Sequence, residues 1–226
     1  MSYKYILFDA DNTLFDFDKC EYEAFVQAVT SFGIEFSDDL YSDYHIINDR
    51  LWKMLELGGI KRDVLKTERY RILLEKCGRN DVSCKELAKK YELCLGNQCY
   101  EIDGVYKLLG DLSGEYKLYL ITNGLTNVQE SRLSLSRLTK YFTDVFISEK
   151  VGVAKPDPRF FDHVISSVGD GDLTKYLVVG DSLTSDIDGA IKYGIDCCWY
   201  NRTASDSAGR SPRYIIDDIT KLKTVL

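Results

Sequence analysis

The sequence predicts an α/β protein: a doubly wound parallel sheet with an all-helical domain inserted after the first strand. Three observations predict it. Short apolar runs rich in β-branched and aromatic residues are continuous rather than alternating, which suits strands buried on both faces. Helical stripes separate most of the later runs. The interval from 17 to 100 carries helical stripes and no convincing strand.

Tyr5–Phe8 is the first run. After it, Phe25, Ala28, Val29 and Phe32 share one face of a helix. Leu40, Tyr44, Ile47, Leu51 and Leu55 share a second, opened by Ser37-Asp38 as an N-cap and closed by Gly58-Gly59. Tyr70, Leu73, Leu74 and Cys77 mark a third, and Leu87, Tyr91 and Leu95 a fourth. Alternation then resumes. A stripe at Val105, Leu108, Leu109 and Leu112 leads to the runs Lys117–Ile121 and Asp144–Ile147. A stripe at Phe161, Val164, Ile165 and Val168 leads to Tyr176–Val179, and Ile187, Ala190 and Ile191, stopping at Gly194, lead to Cys197–Tyr200. The expected domains are a core of residues 1–16 and 101–226 and a helical cap of residues 17–100, acting as a lid over the strand ends.

The 226 residues carry 36 acidic and 29 basic side chains, a net charge of -7, which disfavours general attraction to nucleic acid or an anionic membrane. No apolar stretch reaches membrane-spanning length. Met1-Ser2-Tyr3-Lys4 runs straight into the first strand, so a cytoplasmic protein is expected. Seven cysteines without C-x-x-C spacing argue against a disulfide framework or a zinc site. With two histidines, neither in a known catalytic spacing, carboxylates are the abundant reactive groups.

Four segments at strand ends carry chemistry. Asp9 and Asp11, in Phe8-Asp9-Ala10-Asp11-Asn12-Thr13-Leu14, stand two residues apart where the first strand bends into a loop. Ligands bind at the carboxyl ends of strands in open α/β sheets, so both carboxylates can aim at one bound group, as nucleophile and acid. The same letters are ordinary turn chemistry. Thr122-Asn123-Gly124 offers a hydroxyl and backbone N–H groups for phosphoryl oxygens, or a helix cap. Prolines beside Lys155, in Lys155-Pro156-Asp157-Pro158, stiffen the backbone and fix where its ammonium points, if it is more than a surface lysine. Asp181 and Asp186, in Gly180-Asp181-Ser182-Leu183-Thr184-Ser185-Asp186, suit a hard divalent cation, while Asp186 also suits the first turn of a helix.

In this order the four segments resemble the motifs of the haloacid dehalogenase superfamily, and the helical insertion is similar to that superfamily's lid-type cap. The wording Phe8 to Phe15, the run Val151-Gly152-Val153-Ala154-Lys155-Pro156, and Gly180-Asp181-Ser182 through Asp186 followed by Cys198-Trp199 resemble its pyrimidine 5'-nucleotidase branch. Asp11 stands where the dehalogenases lack an acid, which points to phosphoryl rather than halide chemistry. Asn12 stands where many members have Gly.

The resemblance implies a Rossmann-like core and a phosphatase. Asp9 would be the nucleophile that forms an aspartyl-phosphate, and Asp11 the general acid and base. Thr122 and Lys155 would hold phosphoryl oxygens, with Asn123 and Gly124 beside them. Magnesium would be held by Asp9, the carbonyl of Asp11, and Asp181, with Asp186 orienting its waters or Lys155. The expected substrate is a pyrimidine nucleoside 5'-monophosphate, a small phosphate ester rather than a nucleic-acid polymer or membrane, handled by a monomer or homodimer. Phe15, Phe17, Tyr44 and Trp52 are candidates for stacking on the base, and are equally read as core; His45, Asp49 and Trp52 share a face that suits substrate or solvent. Alternatives are a sugar-phosphate or phosphoglycolate phosphatase, a phosphomutase, or a non-catalytic protein that kept the fold.

Overall fold

The computed structural model describes residues 3–226, and the chain divides into two compact units, Met1–Phe17 with Cys99–Leu226, and Asp18–Gln98. In chain order the main elements are β1 Tyr5–Phe8, α1 Phe17–Ser31, α2 Asp38–Glu56, α3 Arg62–Lys76, α4 Cys84–Gly96, α5 Val105–Leu112, β2 Lys117–Thr122 and α6 Thr126–Ser136. They continue with β3 Phe142–Ile147, the short α7 Ser148–Val151, α8 Pro158–Val168, β4 Tyr176–Gly180, α9 Asp188–Tyr193, β5 Asp196–Tyr200 and β6 Tyr214–Ile216.

The strands form one six-stranded parallel sheet in the order β3-β2-β1-β4-β5-β6. Successive residues of a strand point to opposite faces, and here both faces are covered. Ile6, Phe8, Leu118, Leu120, Leu177 and Val179 pack with Val105, Leu108 and Leu109 of α5. Tyr5, Leu7, Tyr119, Ile121, Tyr176 and Val178 pack with Phe160, Phe161 and Val164 of α8. That double burial is why the strands are continuous apolar runs in the sequence. The chain runs from β1 outward through β2 and β3 on one side and returns to β4, β5 and β6 on the other, so the strand order reverses between β1 and β4 and a crevice forms at their carboxyl ends.

Besides the one-turn α7, two elements have no counterpart in the expected set. Strand β6 is three residues long at the sheet edge, too short to show a pattern. Helix α6 carries buried polar residues, Gln129 and Arg132, among its apolar ones, and this breaks its stripe.

The second unit is four helices. Ser37 caps α2, its hydroxyl accepting from the Leu40 N–H at 3.1 Å, and the helix ends before Gly58, whose φ of 73° is left-handed. Phe25, Tyr44, Tyr70 and Tyr91 meet at its centre, with ring centroids of Phe25 and Tyr44 4.5 Å apart and of Tyr44 and Tyr70 5.7 Å apart. Among the described residues no helix is long and apolar enough to cross a membrane, and all seven cysteines are free thiols.

Candidate active site

Asp9 is the first residue beyond β1, its N–H held by the Val179 carbonyl at 2.8 Å. Asp181 is the first beyond β4, its carbonyl taking the Trp199 indole N–H at 2.8 Å. Asp186 sits in the short π-helical turn that follows, and Thr122 is the last residue of β2. The carboxylate oxygens of Asp9, Asp181 and Asp186 come within 4.8 Å of one another. Gly180 must be a glycine, since a Cβ there would lie 2.3 Å from an oxygen of Asp186.

Lys155 is drawn into this cluster and is 1% exposed. Its three N–H groups donate to Asp9 Oδ1 at 2.7 Å, Asp186 Oδ1 at 2.6 Å and the Ile121 carbonyl at 2.8 Å. Burial opposes the ammonium charge, but Asp186 and Asp9 outweigh it and hold Lys155 protonated above its ordinary range. The second oxygen of Asp186 accepts from the Ser182 N–H at 3.1 Å, so both its oxygens are already engaged.

Three carboxylates, Asp9 and Asp186 buried and Asp181 half-buried, against one ammonium leave an excess of negative charge. Burial is the main reason that Asp9 is pushed up to about 7, helped by Asp186 and Asp11 and opposed by Lys155. Asp181 is raised by burial and then by Asp9 and Asp186. Hard oxygen donors crowded into a charge-deficient crevice suit a small divalent cation such as magnesium, which would remove the repulsion.

Asp11 lies beyond this cluster, with Oδ2 accepting from Gln129 Nε2 at 2.7 Å and Oδ1 from Arg132 Nη1. Its neighbour Asn12 has a φ of 57°, a conformation that Asn tolerates better than most side chains. Asn12 Oδ1 also accepts from the Phe17 N–H at 3.0 Å and Arg202 Nη1 at 3.3 Å.

A family model described as haloacid dehalogenase-like hydrolase matches residues 6–200. The chain belongs to this family. It is 39% identical over 203 residues to pyrimidine 5'-nucleotidase PynA of Streptococcus pneumoniae, covering 89% of this chain and 85% of that protein. It is 31% identical over 227 residues to pyrimidine 5'-nucleotidase YjjG of Escherichia coli, covering 100% and 99%. Among solved structures, that of the putative HAD-hydrolase YfnB from Bacillus subtilis, bound to magnesium, matches with a TM-score of 0.95 at 32% identity, covering 100% of this chain and 99% of that one.

Of the residues singled out in this hydrolase, Asp9, Lys155, Asp181 and Asp186 converge, with Thr122 and Asp11 linked through Gln129. The residues expected to contact substrate are placed as follows. Phe15 is fully buried in the core beneath Arg132, and Tyr44 is fully buried among Phe25, Tyr70 and Tyr91, so neither ring face is open to a base. Asn123 spends its side chain on the backbone of Lys155, donating to the carbonyl at 2.8 Å and accepting from the N–H at 2.9 Å. The Gly124 N–H turns to Thr122 Oγ1 at 3.0 Å. Phe17 stays half-buried, 5.8 Å from the Arg132 guanidinium. In the helical unit, Trp52 is half-buried with Arg62 5.9 Å from its ring, His45 reaches Glu21 at 2.9 Å, and Asp49 pairs with Lys53 at the surface. Sequence reasoning missed Gln129 and Arg132; the available signal was two polar residues one turn apart beside Val128 and Leu133.

Proposed function

We propose that this hydrolase is a cytoplasmic, magnesium-dependent phosphomonoesterase acting on pyrimidine nucleoside 5'-monophosphates. The observation that carries the phosphatase reading is the cluster of Asp9, Asp181 and Asp186 around Lys155, with a second acid, Asp11, two residues from the nucleophile. The pyrimidine preference is supported by the names of the two nucleotidase relatives.

Asp9 attacks phosphorus in line, the ester oxygen departs, and an aspartyl-phosphate forms. Asp11 gives a proton to the departing ribose oxygen, then takes one from the water that releases phosphate. The Thr122 hydroxyl donates to a phosphoryl oxygen. Lys155 already uses its three N–H groups, so it acts mainly by holding Asp9 and Asp186, and a phosphoryl oxygen reaches it by sharing a donor now given to them. Asp9 and Asp181 would hold magnesium, with Asp186 fixing the arrangement, and the ion would supply neutralisation of the phosphoryl charge.

The test is kcat/KM for dTMP, UMP, AMP, glucose 6-phosphate and phosphoglycolate at one magnesium concentration. A pyrimidine nucleotide is expected to lead. A sugar phosphate or phosphoglycolate ahead by tenfold, about 1.4 kcal/mol of transition-state preference, would overturn the nucleotidase reading.

A further inference from the structure

Gln129 and Arg132 are both fully buried, an unusual place for an amide and a guanidinium, and they sit one turn apart on α6 where side chains three residues apart lie together. Burying such groups is costly without partners, and their partners are catalytic candidates. Arg132 donates to Asp11 Oδ1 and lies over the Phe15 ring, 4.4 Å from its centroid. Gln129 Nε2 donates to Asp11 Oδ2 at 2.7 Å and to Thr122 Oγ1 at 3.0 Å, while its Oε1 faces Arg132 Nη1 at 3.4 Å. This fixes the amide's orientation, since a flip would set its oxygen against a carboxylate.

Two consequences follow from the chemistry of the acceptors. Asp11 is partly exposed, on a loop, and its carboxyl is gripped at both oxygens. The Thr122 oxygen accepts from the Gly124 N–H and from Gln129, each at 3.0 Å, which occupies both lone pairs and leaves the hydroxyl proton free to turn outward as a donor. The fit is close: a Cβ on Gly124 would lie 2.3 Å from Gln129 Nε2.

We propose that Gln129 and Arg132 are positioning residues, Arg132 acting directly on Asp11 and Gln129 directly on both Asp11 and Thr122. Phe15 is the floor that holds the guanidinium in place. Proton transfer requires the carboxyl within hydrogen-bond reach of the leaving oxygen, so a loosened Asp11 harms poor leaving groups most. The inference rests on the phosphatase reading, not on the identity of the base.

The experiment compares 4-nitrophenyl phosphate with an alkyl phosphate, thymidine 5'-monophosphate or the best alkyl ester turned over, for Arg132→Met, Arg132→Lys, Gln129→Met and Gly124→Ala. The two methionine variants are also made with Asp11→Asn. Arg132→Met is expected to lower kcat on the alkyl ester about 100-fold and on the aryl ester less than about threefold, with KM little changed, and to cost nothing further beside Asp11→Asn. Arg132→Lys restores part of the loss. Gln129→Met is expected to slow both esters, to keep a loss of about tenfold beside Asp11→Asn because Thr122 is also misdirected, and to be mimicked by Gly124→Ala. Equal losses on both esters for Arg132→Met, or multiplication of its loss with that of Asp11→Asn, would overturn the role of Arg132. Disappearance of the Gln129→Met loss beside Asp11→Asn would overturn the Thr122 arm. Should Arg132→Met fail to fold, Arg132→Lys carries the same comparison with the charge kept. A wild-type preference for non-nucleotide alkyl esters would sink the nucleotidase reading while leaving this test intact.

Discussion

Each unit buries a charged cluster, and the two are balanced in opposite ways. In the helical unit Glu21 accepts from Asn48 at 2.8 Å and from Tyr41 at 3.3 Å and contacts His45 at 2.9 Å, while Asn48 accepts from Arg69 at 2.8 Å. The Arg69 guanidinium lies 4.9 Å from the ring centroids of both Tyr70 and Tyr91. One buried carboxylate and one buried guanidinium, with an amide between them, balance in charge, although Arg69 Nε and Nη2 and the Tyr91 hydroxyl have no hydrogen-bond partner among the described residues. In the α/β unit three carboxylates crowd round one ammonium, and the surplus calls for a cation. A charge-balanced cluster organises a core, whereas an unbalanced one is costly until something binds.

The largest expected effect tests the unbalanced side. Asp9→Asn should lower kcat on the order of 10⁴-fold or more while circular dichroism shows a native fold, because it removes the proposed nucleophile. Near wild-type turnover, with deamidation excluded by mass spectrometry, would end the covalent mechanism.

Stability should separate the clusters by sign. Glu21→Leu is expected to cost about 2 kcal/mol or more in chemical denaturation, leaving Asn48 short of a partner and the buried Arg69 charge without a balancing carboxylate. Asp181→Asn, measured in chelator, should instead raise stability by about 1 kcal/mol, roughly 2–4 °C, and weaken magnesium binding. If both substitutions destabilise the chelated protein alike, the contrast is wrong.

The pH dependence sharpens the same point. Burial and neighbouring carboxylates raise Asp9 to about 7 and raise Asp181, so both hold protons more tightly folded than unfolded. Their contribution to metal-free stability is therefore full below the unfolded value of about 4 and is lost as pH climbs through the folded values. Thermal unfolding between about pH 5 and pH 8 should show the gain from magnesium growing with pH, by about 1 kcal/mol or more. A gain that stays level across that range would contradict the surplus of charge.

The smallest effect concerns the bend between the two carboxylates and α1. Asn12→Gly relieves a left-handed residue but gives up the side chain that accepts from the Phe17 N–H, so the two changes should cancel to within about 1 kcal/mol. A loss of several kcal/mol would mean that Asn12 anchors more than this bend.

The sequence by itself determined five of the six sheet strands, the helical insertion and the acidic and basic residues at the strand ends. Double burial writes itself as continuous apolar runs, and Asp9, Asp181 and Lys155 occur in short local segments whose order survives without coordinates. Only the tertiary structure decided which side chains face the crevice. Phe15 and Tyr44 are aromatic in sequence whether they stack on a ligand or fill a core, and burial settles that they fill it. Asn123 is a polar letter in sequence, and only the structure shows that its side chain holds the backbone of Lys155, 32 residues on. Gln129 and Arg132 read as ordinary polar positions of a surface helix. Their meaning comes from Asp11, 118 and 121 residues away, which a parallel sheet brings alongside and no local pattern can announce.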